Sequence, residues 1–447
     1  MQESNNCQPA LKKILKCWDS VAIIIAIVVG VGIFRVPAEV AKYLISPNLI
    51  LLAWFCGGII SLLGALCYAE LSASFPETGG NYIYLRESYG PGVGFLFAWT
   101  ELLVIRPGSI AAVSFVGAEY LLSFLSLNAD LIKPITVFII LCLSSINMLG
   151  LYFGKRTQNA LIVTKILALL CIIVFGFLSK KGAILHFEPT PGRLNSGILS
   201  SFGLALIPIL WTYGGWHENT FVAGETRNAT KAVPLALILG VFIIIAFYLT
   251  INFLYIYLIP VEEIAKSSLI GSDVLQILFG RYGRKLFEVL IILSSLGCIN
   301  AMIITGSRIA YAIARDNIIF RYIGEVNTKY ATPARAIIIN AVGSILLVIW
   351  GSFNKILFFT GISVWLFFAL AIVGLFVLRY KFPNIERPYK VWGYPTVPLV
   401  FIFVCIALCI NTAIFYPFQA FIGVCLMISG IPVYILSQKI YKKSLST

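Results

Sequence analysis

Histidine and charge are scarce in this chain: 447 residues hold two histidines, and Asp, Glu, Lys and Arg together make up 12%. Two imidazoles outside any motif give neither a nucleophile–base pair nor a metal set, so no enzyme site and no cofactor are expected. Of the ten cysteines, Cys56, Cys67, Cys142, Cys171, Cys298, Cys405, Cys409 and Cys425 lie in apolar runs, while Cys7 and Cys17 stand in the polar N-terminal stretch. No CxxC occurs, so neither a disulfide framework nor a metal site is indicated. Gly30-Val31-Gly32 is no dinucleotide fingerprint, because Arg35 stands where the third glycine belongs and no strand precedes it. The net charge of +14 is not clustered outside the apolar runs, so no nucleic acid partner is expected. No small-residue cleavage site follows a short apolar core, and no removable signal peptide is read.

What is abundant is apolar surface. Hydrophobic residues make up 60% of the chain, too many for a water-soluble globule. Runs long enough to cross about 30 Å of hydrocarbon fall near 19–45, 48–74, 92–125, 132–151, 159–179, 198–225, 232–258, 284–315, 334–351, 355–379, 396–414 and 417–437. The reading is an all-α polytopic membrane protein with twelve transmembrane helices, one domain over 1–447, in a lipid bilayer. Starting the N-terminus in the cytoplasm puts 19 of the 33 Lys and Arg on that side and ten on the other. Arg35, Arg106, Lys165 and Arg308 remain within spans. This bias follows the positive-inside rule and predicts a cell-membrane protein with both termini cytoplasmic.

Two spans are interrupted. Gly30-Val31-Gly32 sits in the first run and Tyr213-Gly214-Gly215-Trp216-His217-Glu218 in the sixth. Glycines weaken a helix, and the backbone groups they free in lipid need partners, so such breaks persist where they line a cavity. Matching breaks in two halves point to a secondary transporter with a midplane site. Five spans per copy then force inverted repeats over 19–180 and 198–380, with two further helices over 396–437. Between spans two and three, Pro76 to Tyr82 and Tyr89 to Gly92 are turn-rich, and the stretch between them reads as an interfacial helix.

The residues resemble a known family at this point. Gly30-Val31-Gly32-Ile33-Phe34, Pro76 to Tyr82 (PETGGNY), Trp99 to Pro107 (WTELLVIRP), Trp211 to Trp216 with Gly224-Glu225 and Pro234, and Glu386 to Val391 (ERPYKV) are similar to the amino acid–polyamine–organocation superfamily and its L-type amino acid transporter branch. These stretches cover nearly the whole chain in order. The resemblance implies a LeuT-like 5+5 inverted repeat, a rocking-bundle alternating-access cycle and amino acid substrates, often exchanged one for one. Animal members attach to a glycoprotein through a cysteine between spans three and four. The loop Ser126 to Pro134 has none, so no disulfide-linked subunit is expected.

An amino acid carboxylate seeks the free amides of a helix N-terminus, and its ammonium seeks carbonyls at a C-terminus. The break around Gly30 gives Val31 and Gly32 as amide donors and Val28 as a carbonyl. In span six, Trp211 and Gly214 offer carbonyls, and the resemblance places the same roles there. The bland alternative is close packing, as in the small-residue seam Gly57, Ser61 and Ala65. Lys165, in span five, either faces the bundle or snorkels; the resemblance implies that it replaces a sodium ion. Trp211 either closes over the substrate or packs. Family members that carry cationic amino acids have aspartate at the Gly214 position, so no carboxylate beside the site is expected, and neutral L-amino acids follow. Proton symport is the alternative to sodium-independent exchange. A non-transporting sensor or a channel is the reading from another class, although these spans show no continuous polar path.

The other charged residues carry expectations of their own. His217 reads as a hydrogen-bonded packing histidine, with a substrate contact as the alternative. Glu218 and Glu225 are expected to pair with Arg227 or Lys231. Arg308 is an inner-gate or snorkelling residue, and Arg106 faces polar backbone where Pro107 breaks the helix. Arg35 either attracts anions or reaches headgroups. Val31 stands where the branch usually has serine, which leaves only backbone donors.

Overall fold

A chain in hydrocarbon has no water for its backbone, so each segment satisfies its own N–H and C=O groups as helix. The computed structural model describes residues 13, 15–148, 166, 167, 169–188, 197–314, 322–325 and 333–446. All regular structure among them is helical, apart from one isolated bridge between Leu15 and Thr226. Ten helices are long and apolar enough to cross a membrane: Cys17–Phe34, Pro47–Ser74, Pro91–Leu125, Ala129–Met148, Ile198–Glu225, Ala229–Leu258, Ile270–Ile303, Phe353–Lys381, Thr396–Phe415 and Pro417–Lys439. Two shorter apolar helices, Leu169–Leu178 and Ala334–Trp350, occupy the fifth and ninth runs of the sequence. The ninth has 17 residues, about 26 Å of rise, which is less than the hydrocarbon thickness. Much of the fifth run lies outside the described residues.

In chain order the elements that build the site are α1 (Cys17–Val28), α2 (Val36–Tyr43), α3 (Pro47–Ser74), α4 (Asn81–Tyr89) and α5 (Pro91–Leu125). They are followed by α6 (Ile132–Met148), α7 (Ile198–Tyr213), α8 (Ala229–Leu258), α9 (Ile270–Ala314, bent at Gly280), α10 (Ala334–Trp350) and α11 (Phe353–Lys381). Helix α8 lies along α3 and α1, and α3 also packs on α7; on the other side, α9 and α10 lie against α5. Small residues set the closeness of the first group. A Cβ on Gly57 would stand 2.5 Å from Ile209 of α7, and one on Gly58 would stand 2.7 Å from Ile245 of α8. Side chains such as Phe138, Phe403 and Phe421 stay exposed, as lipid-facing positions do.

Helix α4 forms where an interfacial helix is expected, and much of it is buried: Asn81, Tyr82, Ile83, Tyr84, Leu85 and Ser88 lie within the protein, and the helix packs against α5 and α11. One expectation changes here: Pro107 does not break its helix. The chain runs through Glu101–Ile105 as a π-turn, in which the Arg106 amide donates to the Glu101 carbonyl five residues back. A proline ring normally clashes with the carbonyl four residues earlier, here that of Leu103, and the widened turn absorbs this conflict.

Candidate functional site

Both breaks are real interruptions of helix. Helix α1 ends at Val28, Gly30 is extended (φ −98°, ψ −158°), and a 3-10 turn resumes at Val31–Phe34. Val31 and Gly32 therefore open a new helical turn, where amides have no preceding helical carbonyl. In the second break, α7 ends at Tyr213, Gly214 is extended and Gly215 takes φ 102°, after which Trp216–Glu225 forms a 3-10 helix. A left-handed backbone suits glycine, because it has no Cβ to clash with its own carbonyl.

Two of the carbonyls expected to be free are already engaged. Tyr248 of α8 donates its hydroxyl to Val28 O at 2.7 Å and lies 3.1 Å from Thr212 O, so one buried phenol links the two breaks. The Trp211 carbonyl accepts the Gly214 amide at 3.0 Å. Val28 O also accepts the Gly30 amide at 2.6 Å, so a substrate ammonium would displace a donor there and would share the second lone pair of the Trp211 carbonyl. The only sign of Tyr248 in the sequence is a hydroxyl midway along an apolar run, where lipid offers it no partner.

A cavity of about 120 Å³ lies between the breaks. Val28, Gly30, Val31, Gly32, Trp211 and Gly214 all line it, together with α5 and α11 through residues such as Ser109, Thr360 and Phe368. Gly32 leaves little room: a Cβ there would meet both branches of Thr212 at 3.0 Å and the Trp211 ring at 3.2 Å. The Trp211 indole meets Phe353 edge-on at 5.4 Å, so it both lines the cavity and packs.

Arg35 lies on the same phenyl group, 5.5 Å from the Phe353 ring. It neither faces an open vestibule nor reaches away to headgroups. Its guanidinium is held by Glu39 at 2.7 Å and Glu119 at 3.1 Å, which ties α2 to α5. At the opposite end, His217 lines the cavity inside an aromatic box of Tyr68, Trp216, Phe221 and Phe368. It packs as expected but without the expected hydrogen bond at Nδ1, which is buried and has no partner.

The charged wall is the main departure from the sequence reading. Arg106 faces carboxylates and not bare backbone: Nη2 lies 2.7 Å from Glu101 Oε1, and Nη1 lies 3.2 Å from each oxygen of Glu218. Thr305 Oγ1 of α9 sits 3.0 Å from Glu218 Oε2. All three charged residues are buried and line the cavity. Gly306 makes room for the arginine stem, since a Cβ there would stand 2.9 Å from Arg106 Cγ. The pairing of Glu218 with Arg227 or Lys231 is thus replaced by one with Arg106. Arg227 instead donates to the Lys13 carbonyl, and the Glu225 carbonyl accepts the Leu15 amide. The absence of carboxylates argued from Gly214 also fails, because Glu101 and Glu218 supply two. Lys165 and the side chain of Arg308 lie outside the described residues.

Two helix breaks facing one cavity in a helical membrane protein narrow the comparison with known proteins. Residues 15–437 match the amino acid permease family. The chain belongs to that family. It is 30% identical over 431 residues to the human cystine/glutamate transporter, covering 95% of this chain and 85% of that protein. It is 29% identical over 427 residues to the serine/threonine exchanger SteT of Bacillus subtilis, covering 95% and 96%. It is 28% identical over 441 residues to the mouse large neutral amino acids transporter small subunit 2, covering 96% and 81%. As an amino acid permease the chain is a multi-pass membrane transporter of small substrates.

Proposed function

We propose that this permease exchanges small neutral L-amino acids by alternating access, without sodium. The observation that carries the reading is the cavity of about 120 Å³ bounded by both breaks. It is close in size to an engineered cavity of about 150 Å³ that holds one benzene, so a short side chain suits it better than a long one. The amides of Val31 and Gly32 would take the carboxylate, and the carbonyls of Val28, Trp211 and Gly214 the ammonium. Trp211 would close over the substrate. Exchange of small neutral amino acids is favoured by the likeness to the serine/threonine exchanger of Bacillus subtilis.

The same reading takes the architecture as twelve spans, with inverted repeats over 19–180 and 198–380 and both termini cytoplasmic. It is supported by the two breaks, which fall in the first helix of each repeat. Lys165 is proposed to stand in for a coupling cation and to hold the inner half of the first span. The cysteine-free loop Ser126 to Pro134 supports a chain that works without a disulfide-linked subunit. Proton symport is the second reading, favoured by two buried carboxylates that share one guanidinium.

Counterflow in proteoliposomes against all twenty amino acids, with and without sodium and a proton gradient, tests these readings together. Neutral substrates should compete best, and removal of sodium should change nothing. Lys165→Ala should lose exchange but keep weakened binding. Sodium-dependent uptake or a preference for arginine and lysine would refute the reading, and uptake driven by the proton gradient would favour symport.

A further inference from the structure

The guanidinium of Arg106 has its two ends occupied by two different carboxylates, and only one of them belongs to its own helix. Glu101 comes from the π-turn one helical turn away and takes Nη2 at 2.7 Å. Glu218 comes from the 3-10 segment after the second break and sits with both oxygens 3.2 Å from Nη1. Glu101 alone balances the charge of Arg106. Glu218 is a second carboxylate, and it approaches the guanidinium from the segment that borders the substrate cavity.

We propose that Glu218 is a built-in occupant of a carboxylate subsite, and that it excludes acidic amino acids from this permease. The proposal rests on the reading of the chain as an exchanger of neutral amino acids. The protein itself shows that the Arg106 guanidinium accommodates two carboxylates, with the Thr305 hydroxyl 3.0 Å from the second. An aspartate or glutamate side chain in the cavity would need the place that Glu218 holds, and it would meet that residue as a like charge in a water-poor setting. Once Glu218 is truncated, Nη1 keeps only the Thr305 hydroxyl at 3.4 Å and has no carboxylate, and the vacated space adjoins the cavity. An acidic substrate then restores the original count of two carboxylates on one guanidinium, and no new buried charge is created. Arginine suits this role because its planar fork presents donors on separate edges. The specificity is thus set by a repulsive element as much as by attractive contacts. Among the described residues, the other groups facing Glu218 are His217 on its own segment and Thr305 on α9; α11 contributes Thr360, Gly361 and apolar side chains to the wall.

The test is counterflow of labelled aspartate and glutamate in proteoliposomes loaded with a neutral amino acid. Wild type should exchange neutral amino acids and reject acidic ones. Glu218→Ser should raise the acidic-to-neutral rate ratio by roughly tenfold to a hundredfold, the range that a charge-assisted hydrogen bond is worth. Adding Arg106→Gln to that variant should remove the gain. If Glu218→Ser is not monodisperse after purification, Glu218→Ala is assayed for aspartate-dependent thermal stabilisation, and a rise in Tm is expected. No acidic gain in either variant, or a gain that survives Arg106→Gln, overturns the proposal. A wild type that exchanges no neutral amino acid overturns the underlying function instead.

Discussion

Two glycines of the first break allow a paired experiment. A Cβ on Gly30 would make only ordinary contacts, at 3.5 Å or more from the Ile27 and Val28 carbonyls and 3.8 Å from Cys298 Sγ. A Cβ on Gly32 would press at 3.0 Å on Thr212 and at 3.2 Å on the Trp211 ring. Thr212 has little freedom to yield, because its hydroxyl donates to the Pro208 carbonyl at 2.9 Å and a β-branched side chain in a helix is stiff. Inserting methyl groups into such a contact costs about 1–3 kcal/mol. If that cost falls on the substrate-bound state, affinity drops by roughly 5- to 150-fold. Gly32→Ala should lie near the lower bound and Gly32→Val near the upper, while Gly30→Ala should bind within about twofold of wild type. The assay is equilibrium binding of labelled substrate to purified protein, with counterflow as the second readout. A well-expressed Gly32→Val variant of unchanged affinity, or a Gly30→Ala variant as impaired as Gly32→Ala, would show that the first break does not carry the site.

Three further outcomes follow from single contacts. Gly215→Ala should destabilise the protein by about 1–2 kcal/mol from backbone strain alone, and more because its Cβ would stand 2.7 Å from Ile27 Cγ2; unchanged thermal melting refutes this. Tyr248→Phe leaves the Val28 and Thr212 carbonyls without their shared donor, at a cost of about 1–3 kcal/mol, so both a lower Tm and a raised KM are expected. Glu70→Ala removes a buried carboxylate that accepts Arg379 at 2.8 and 2.6 Å and the Val391 amide at 2.7 Å. The loss should be about 3–5 kcal/mol of stability, with substrate KM in the surviving folded protein unchanged, because Glu70 does not line the cavity.

Local features were legible in the sequence and long-range pairings were not. Helices follow from apolar runs because lipid admits little else, and the breaks follow from Gly30, Gly32, Gly214 and Gly215 because glycine weakens a helix wherever it sits. Arg106 and Glu218 are 112 residues apart in the chain, and nothing in the WTELLVIRP stretch names its distant partner. The same holds for Arg35 and Glu119. Charged residues were therefore read against near neighbours, which misassigned Glu218 to Arg227 or Lys231. Tyr248 was missed because one tyrosine in an apolar run has no pattern. Its role depends on where two other helices stop.

The π-turn at Glu101–Ile105 has a consequence for how this helix tolerates change in length. A π-turn holds one residue more than the α-turn it replaces, so α5 carries an extra residue in the middle of the membrane. Deleting Leu103 would let the segment close as ordinary α-helix, at the expense of a renewed clash with Pro107. The two sides of α5 would keep their angular relation, because the widened turn covers about the rotation that an α-turn covers with one residue fewer. Arg106 would still point toward Glu218 and Gly108 toward Thr360. A residue deleted from the regular part of α5 would instead turn one side by about 100° relative to the other, the angle of one residue in a helix of 3.6 per turn. The π-turn is thus the one place in this helix where length can change by a residue without changing which face meets the cavity.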